Sequence, residues 1–553
     1  MGQEKLSRNP QSSFSPRRNL VDHVNIETLK PMSHMIGMKK PKLIHHFIEQ
    51  SASNFPQKIA LIHEKVRATF SELNLKANRL ARFLSSSGLR KGDRVVLMYE
   101  NSLNYVVSYY AALKAGGVIV SLSTELKPHG LQPLLQELNP RFAIVSSRLA
   151  TTILGCDLQS SSLKCIIIPA FDKSVHCPVP LTSLDDILSG SDSCSDPDMG
   201  IEDTDLAAII YTSGSTGKPK GAVLTHRNIV ANALSICEYL ELTEGDTQMV
   251  VLPFFYVMGK SLLNTHFAVG GSVVINNKFA YPATVVRQMI EERVSGFSGV
   301  PSTFAYLLHR SPLSTSRGDL SALRYVSQAG GHMSKSTKLA LRKALPEHTK
   351  IFIMYGATEA SARLTYLDPL RFHDKMDSIG RPIPDVQVRI LDTEGRELPA
   401  RQEGEIVARG PNIMAGYWRD ELATRRVLDG NGYHTGDQGY KDEEGFIFVT
   451  GRRDHQLKVG GHRVDPQEIE DVIMESQQVV EVAVGGLPDK LLGNKLVGVV
   501  VPIDDQVSDQ ALRAFCTEHL PHYKVPSSIR LVRSLPKSPN GKIDKEKCLQ
   551  LAG

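Results

Sequence analysis

The chain of 553 residues holds one tryptophan and seven cysteines, and no apolar run approaches the ~18 residues of a membrane-crossing helix. The cysteines are Cys156, Cys165, Cys177, Cys194, Cys237, Cys516 and Cys548. Their number is odd, and no two stand at the spacing of a zinc knuckle or a redox pair, so they read as reduced thiols. Excess charge is scarce too: 64 Lys and Arg against 59 Asp and Glu leave a net +5. That balance argues weakly for anionic ligands and against nucleic acid, which needs clustered basic side chains. The N-terminus lacks the charged-then-apolar pattern of a secretory signal. A cytoplasmic location without a transmembrane segment is expected.

What is present is the composition of a globular protein, 41% apolar and 22% charged. The length exceeds one ordinary core, so several packed units are expected. Residues 1–40 are polar and irregular and read as a loosely held extension. From Pro41 the texture changes. Leu43, Phe47 and Ile48 open a helical stripe, and Leu73, Leu75, Ala77, Leu80, Ala81 and Leu84 repeat it over 71–84. Short β-branched runs at 93–98, 142–145, 164–168, 207–211 and 271–275 alternate with helical stretches. This is the pattern of parallel sheets covered by helices.

After about residue 387 the strands shorten, at 386–391 and 404–408, and suggest a smaller β unit. A stretch over 429–454 reads as turns. Asp465-Pro466-Gln467-Glu468 then offers an N-cap, a proline at the first helical position and a glutamate three residues after the cap. Strands at 479–484 and 495–501 and a helix over 508–519 complete a compact α+β piece. The expected fold is therefore of the α/β class. A large N-terminal domain of helix-covered parallel sheets with a small β subdomain spans 41–453, and a small mobile α+β C-terminal domain spans 454–553.

The strongest local signal is Tyr211-Thr212-Ser213-Gly214-Ser215-Thr216-Gly217-Lys218-Pro219-Lys220-Gly221, directly after an apolar strand. Three glycines expose backbone N–H groups, while four hydroxyls and two ammonium groups share one loop. Phosphate oxygens suit such a loop. It departs from the common P-loop, because Thr212 stands where that motif needs glycine and Pro219 follows the lysine.

Together with Ala222-Val223-Leu224-Thr225-His226-Arg227-Asn228, this loop resembles the signature of the adenylate-forming superfamily, which includes acyl-CoA synthetases, peptide-synthetase adenylation domains and luciferases. Further blocks follow in that family's order over about 41–544. The resemblance implies that Thr212, Ser213, Gly214, Ser215, Thr216, Gly217 and Lys220 hold ATP phosphates. Gly330 and Gly331 of Gln328-Ala329-Gly330-Gly331 would line the adenine with bare backbone. In Tyr355-Gly356-Ala357-Thr358-Glu359, Tyr355 would stack on adenine beside Gly356, Thr358 would touch the α-phosphate, and Glu359 with Thr216 would hold Mg2+. Asp437 of Tyr433-His434-Thr435-Gly436-Asp437 would bind the ribose with Arg452, and Asp454 would be the hinge. Lys542 of Pro536-Lys537-Ser538-Pro539-Asn540-Gly541-Lys542 matches the catalytic lysine that bridges substrate carboxylate and α-phosphate. After domain rotation, Lys458, Gly460 and Gly461 would line the thiol tunnel.

The activity so implied is ATP-dependent conversion of a small carboxylic acid to acyl-AMP, then transfer to the thiol of coenzyme A. A phosphopantetheine arm on a separate acyl carrier protein is the alternative acceptor, and a luciferase-like oxidase the alternative of another class. Leu252-Pro253-Phe254-Phe255-Tyr256-Val257-Met258-Gly259-Lys260 carries the information on the acid. Phe255 and Tyr256 align with a Phe-Asp pair of amino-acid-activating relatives, so the carboxylate that would pair with an α-ammonium is missing. A buried unpaired ammonium is costly, and a fatty or other non-amino acid is expected. Phe255, Tyr256, Gly259 and Lys260 are the expected pocket residues, with Lys260 able to meet a polar or acidic tail.

Overall fold

The computed structural model describes residues 40–552 except 160, 172–173, 175, 191–194, 213–218, 453–456, 460, 490–491 and 540. The irregular extension expected over 1–40 therefore lies, but for its last residue, outside the described residues.

Two large sheets form the N-terminal part. The first runs Gly416–Tyr417, Lys220–Thr225, Leu206–Thr212, Val118–Ser121, Arg94–Met98, Phe142–Val145, Cys165–Ile168, Leu181–Ser183. Its neighbours are parallel from Leu206–Thr212 onward and antiparallel before it. In the second sheet, Ile59–His63, Ser272–Ile275, Thr247–Val250, Gly296–Gly299, Tyr325–Gln328 and Lys350–Tyr355 are parallel neighbours, with antiparallel strands at both edges. Strands such as Val118–Ser121 and Phe142–Val145 are buried at every residue. Continuous apolar runs arise because helices cover both faces of a parallel sheet.

The helices between the sheets form as their sequences dictate. Phe70–Ser86 buries Leu73, Ala77, Leu80, Ala81 and Leu84, and its start is fixed by a reciprocal Thr69–Glu72 capping box. His226–Tyr239 begins with the same device, Thr225 and Asn228 exchanging hydrogen bonds of 3.2 and 2.9 Å. One core, including Phe47, Leu80, Tyr109, Leu234, Phe267 and Tyr325, fills the space around these helices.

The stretch over 429–454 is a correction to the expected turns. It contains the strands Gly432–Lys441 and Ile447–Arg452, paired in an antiparallel sheet with Gln387–Leu391 and Gly404–Arg409 on the other side. Glycine hides them in the sequence: Gly436 sits at φ 76°, and the register slips between Gln438 and Gly439.

In the C-terminal part, Val479–Asp489 and Gly493–Pro502 form a long hairpin flanked by Leu457–Val459 and Ser528–Leu531. Helices Pro466–Glu475 and Asp509–His519 cover one face through Ile469, Ile473, Leu512 and Cys516. On the other, Val480, Ala483, Val499 and Cys548 pack with Ala305 of helix Pro301–Arg310. This part thus rests on the large one. Lys537 Nζ lies 3.8 Å from the Tyr306 ring centre, and His332 Nε2 lies 3.0 Å from Asp471. The expected boundary at 453/454 and the hinge Asp454 fall outside the described residues. No described helix is long and apolar enough to cross a membrane.

Candidate active site

The strands Gly296–Gly299, Tyr325–Gln328 and Lys350–Tyr355 all end at one edge, and a cavity of about 90 Å³ opens there. Ligands of open α/β sheets bind at this carboxyl edge. Its lining brings together Val300, Ala329 and Gly330, then Gly356, Ala357 and Thr358 after the third strand. Pro253, Tyr256, Val257, Met258 and Gly259 close the opposite side, and Lys542 enters from the C-terminal part.

Lys542 is delivered by a pinned turn. Ser538 N donates to the Lys542 carbonyl at 2.8 Å, and Ser302 Oγ of the large part donates to the Gly541 carbonyl at 2.6 Å. The lysine passes so near Gly330 that a Cβ there would lie 3.2 Å from Lys542 Cε. Removal from water lowers the Lys542 pKa, as does Arg452, while Glu359 and Asp437 raise it. The cleft therefore holds two cations and two carboxylates within electrostatic reach of one another.

Those carboxylates are positioned by their neighbours. The Tyr417 hydroxyl donates to Glu359 Oε1 at 2.7 Å, with Lys220 Nζ 5.4 Å from the Tyr417 ring centre. Burial and the adjacent Glu359 push the Tyr417 hydroxyl up in pKa, so it stays a donor. Asp437 accepts from Arg452 Nε at 2.6 Å and from the Tyr355 hydroxyl. Burial and then Asp437 push Tyr355 up likewise. Ser361 and Ala362, at φ 56° and 126°, turn the chain back along the cavity. Ser361 Oγ donates to the Asn412 carbonyl at 2.8 Å, and Asn412 Nδ2 donates to the Ala360 and Arg363 carbonyls at 3.1 and 2.9 Å. Backbone in this region persists only where the surroundings fix it.

Other expected residues sit elsewhere. Thr212 and Lys220 flank the segment expected to hold phosphates, Thr212 Oγ1 donating to the Lys220 carbonyl at 3.4 Å across an antiparallel strand pair. Ser213, Gly214, Ser215, Thr216 and Gly217 lie outside the described residues, as does Gly460. Gly331 is exposed beside the cavity, its carbonyl accepting from Gln328 Nε2 at 2.7 Å. Lys458 and Gly461 are exposed on the C-terminal part, away from the cavity lining. Phe255 is buried, its ring 4.6 Å from that of Tyr256, and does not line the cavity. Tyr417, Ser302 and Asn412 carried no motif in the sequence and are recognised only through their contacts.

Lys260 is the unusual member. It is 2% exposed, its Nζ 3.1 Å from Ser121 Oγ and 5.3 Å from the Tyr109 ring centre. Burial alone pushes its pKa down to about 7, with no carboxylate opposing it.

Glu359, steadied by Tyr417 and beside the Thr358 hydroxyl, presents hard oxygen donors that fit Mg2+. A second group, His45, His46 and Glu49, lies at the first described helix. There Lys114 Nζ already occupies Glu49 Oε1 at 2.6 Å.

Residues 48–418 match the family described as AMP-binding enzyme, and 468–542 match its C-terminal domain. The chain belongs to the AMP-binding enzyme family. It is an acyl-CoA synthetase-like member of the adenylate-forming superfamily. A long-chain-fatty-acid–CoA ligase of Bacillus subtilis is 30% identical over 539 residues, covering 92% of this chain and 94% of the relative. A 2-succinylbenzoate–CoA ligase of Bacillus cereus is 30% identical over 511 residues, covering 92% and 98%. Among solved structures, the anthranilate CoA ligase AuaEII with anthranoyl-AMP superposes with a TM-score of 0.82 at 25% identity, covering 93% of this chain and 98% of that one.

Two predictions follow from the packing at the cavity. A Cβ at Gly259 would lie 2.2 Å from the Pro253 carbonyl oxygen. Gly259→Ala should therefore lower stability by ~2 kcal/mol or more, read as a drop in Tm; an unchanged Tm contradicts this packing. For Lys260, both states are protonated below pH 7, so the burial penalty is complete there. Between about 7 and the ordinary 10.5 the unfolded chain binds the extra proton, and this group's contribution to stability rises with pH. Lys260→Met should accordingly raise Tm most at pH 6–7, with the gain shrinking toward pH 10. A gain independent of pH would rule out a charged Lys260 as its cause.

Proposed function

We propose that the enzyme joins a carboxylic acid to AMP, releasing pyrophosphate, and then passes the acyl group to the thiol of coenzyme A. The observation that carries this reading is Lys542, brought from the end of the chain to Gly330 and Thr358 at the sheet edge.

In the first step a carboxylate oxygen of the acid attacks the α-phosphorus of ATP, and the bond to the β-phosphate oxygen breaks. Lys542 stands where negative charge builds, held as a compact ammonium by the Ser302-pinned turn. Thr358 touches the α-phosphate, and Asp437 with Arg452 takes the ribose hydroxyls. Glu359 would hold magnesium, whose charge neutralises the departing pyrophosphate. In the second step the thiol loses its proton and its sulfur attacks the acyl carbon, and AMP leaves with the bonding pair.

The acid is a fatty or other non-amino acid. Among the described residues lining the cavity none is an Asp or Glu, and Glu359 and Asp437, which do not line it, are already held by Tyr417 and by Tyr355 and Arg452, so a substrate α-ammonium would be buried there without a partner. The named activities of the relatives, on a long-chain fatty acid, 2-succinylbenzoate and anthranilate, support activation of a carboxylic acid without selecting one, and none of these acids carries an α-ammonium.

Lys542→Ala should reduce formation of acyl-AMP by about 100-fold or more, the scale of losing one positioned charge at a reacting centre. Transfer to coenzyme A from supplied acyl-adenylate should fall far less. Separate single-turnover assays of the two halves check this, and equal damage to both contradicts the role given to Lys542.

A further inference from the structure

We propose that a narrow cavity behind the cleft receives the far end of the acid, and that this end carries a second carboxylate. The inference rests on the ligase reading above and names its substrate class: a dicarboxylic acid with an apolar middle.

The two spaces are neighbours across one partition. Helix Val257–Val269 faces the cleft through Val257, Met258 and Gly259, and its next residue, Lys260, lines the narrow cavity, to which Val257 also belongs. Ser361 borders the narrow side and Ala362 the cleft. The inner space is about 10 Å³, close to what one water needs. It has room for one oxygen of a terminal carboxylate and no more.

Its chemistry asks for an anion. The ammonium has three N–H donors; among the described residues it meets the Tyr109 ring and one acceptor, Ser121 Oγ, which is also hydrogen-bonded to the Tyr105 hydroxyl at 2.8 Å. The other amide acceptors are engaged: Asn232 Oδ1 accepts from Arg363 N at 3.3 Å, and Asn264 Oδ1 accepts from the Tyr110 hydroxyl at 3.3 Å. Of the remaining lining, the Ser261 and Ser361 hydroxyls donate to the Met258 and Asn412 carbonyls at 2.7 and 2.8 Å, and Ile210 and Leu224 offer no acceptor side chain. In its protonated form Lys260 is a buried cation facing no carboxylate among the described residues, a strongly disfavoured state. A ligand carboxylate supplies both the missing charge and the missing acceptors, and the apolar Val257 and Met258 between the spaces suit a hydrocarbon spacer.

The test is AMP formation by wild type and Lys260→Met with straight-chain acids of matched length, one carboxyl group against two. Methionine keeps an unbranched apolar stem one heavy atom shorter and removes the charge. Wild type should prefer a dicarboxylic acid, and the ratio of kcat/KM values, two carboxyls over one, should fall about 100-fold in the variant. A ratio unchanged by the substitution overturns the proposal, as does a wild type that uses monocarboxylic acids alone; both leave the ligase reading intact. Should wild type make AMP from no acid, and no dicarboxylate raise its Tm, both readings are overturned.

Discussion

The carboxylate of Asp437 is the point on which the rest of the cleft depends. Tyr355 reaches it from the end of a parallel strand, and Arg452 reaches it from the last strand before the C-terminal part. Asp437 itself stands on the small antiparallel sheet. One buried acceptor thus ties the nine-stranded sheet, the β unit and the approach to the C-terminal part. Charge-assisted hydrogen bonds are the strong ones, and removing the acceptor would leave Arg452 and Lys542 facing each other with one of the cleft's two carboxylates gone.

The cleft gains its second side from a modest contact. Ser302 meets Gly541, His332 meets Asp471, and Arg310 donates to the Arg533 carbonyl at 3.2 Å. Ala305 adds a small apolar patch. Polar, partly exposed contacts of this kind are individually weak. They can hold Lys542 in the cleft without fixing it there permanently, which suits the two successive steps of the proposed reaction.

Much of this was legible in the sequence because the cues were local. Continuous apolar runs located the central strands within a residue or two, and the Asp465-Pro466 start located a helix, although Asp465 caps through Gln467 N at 2.9 Å and not through Glu468. The strands at 432–441 and 447–452 were missed because Gly436 and a register slip interrupt their pattern. For the site, family-ordered motifs led to Thr358, Glu359, Asp437 and Lys542. Tyr417, Ser302 and Asn412 are invisible in the same way that all long-range partners are: each is an ordinary residue until folding brings it to its acceptor. Lys260 was legible as an oddity in an apolar segment, but its burial, with no anionic partner among the described residues, belongs to the three-dimensional arrangement alone.

The most direct test of the central claim is acid-dependent formation of AMP and pyrophosphate from ATP and magnesium, over fatty, aryl, hydroxy, dicarboxylic and amino acids, each with and without coenzyme A. The account predicts turnover with a non-amino acid that is strong only when coenzyme A is present, yielding equal amounts of AMP and acyl-CoA. An adenylate that forms but that coenzyme A cannot discharge would contradict coenzyme A as acceptor and point to a carrier-protein thiol. Absence of pyrophosphate with every acid would contradict the account as a whole.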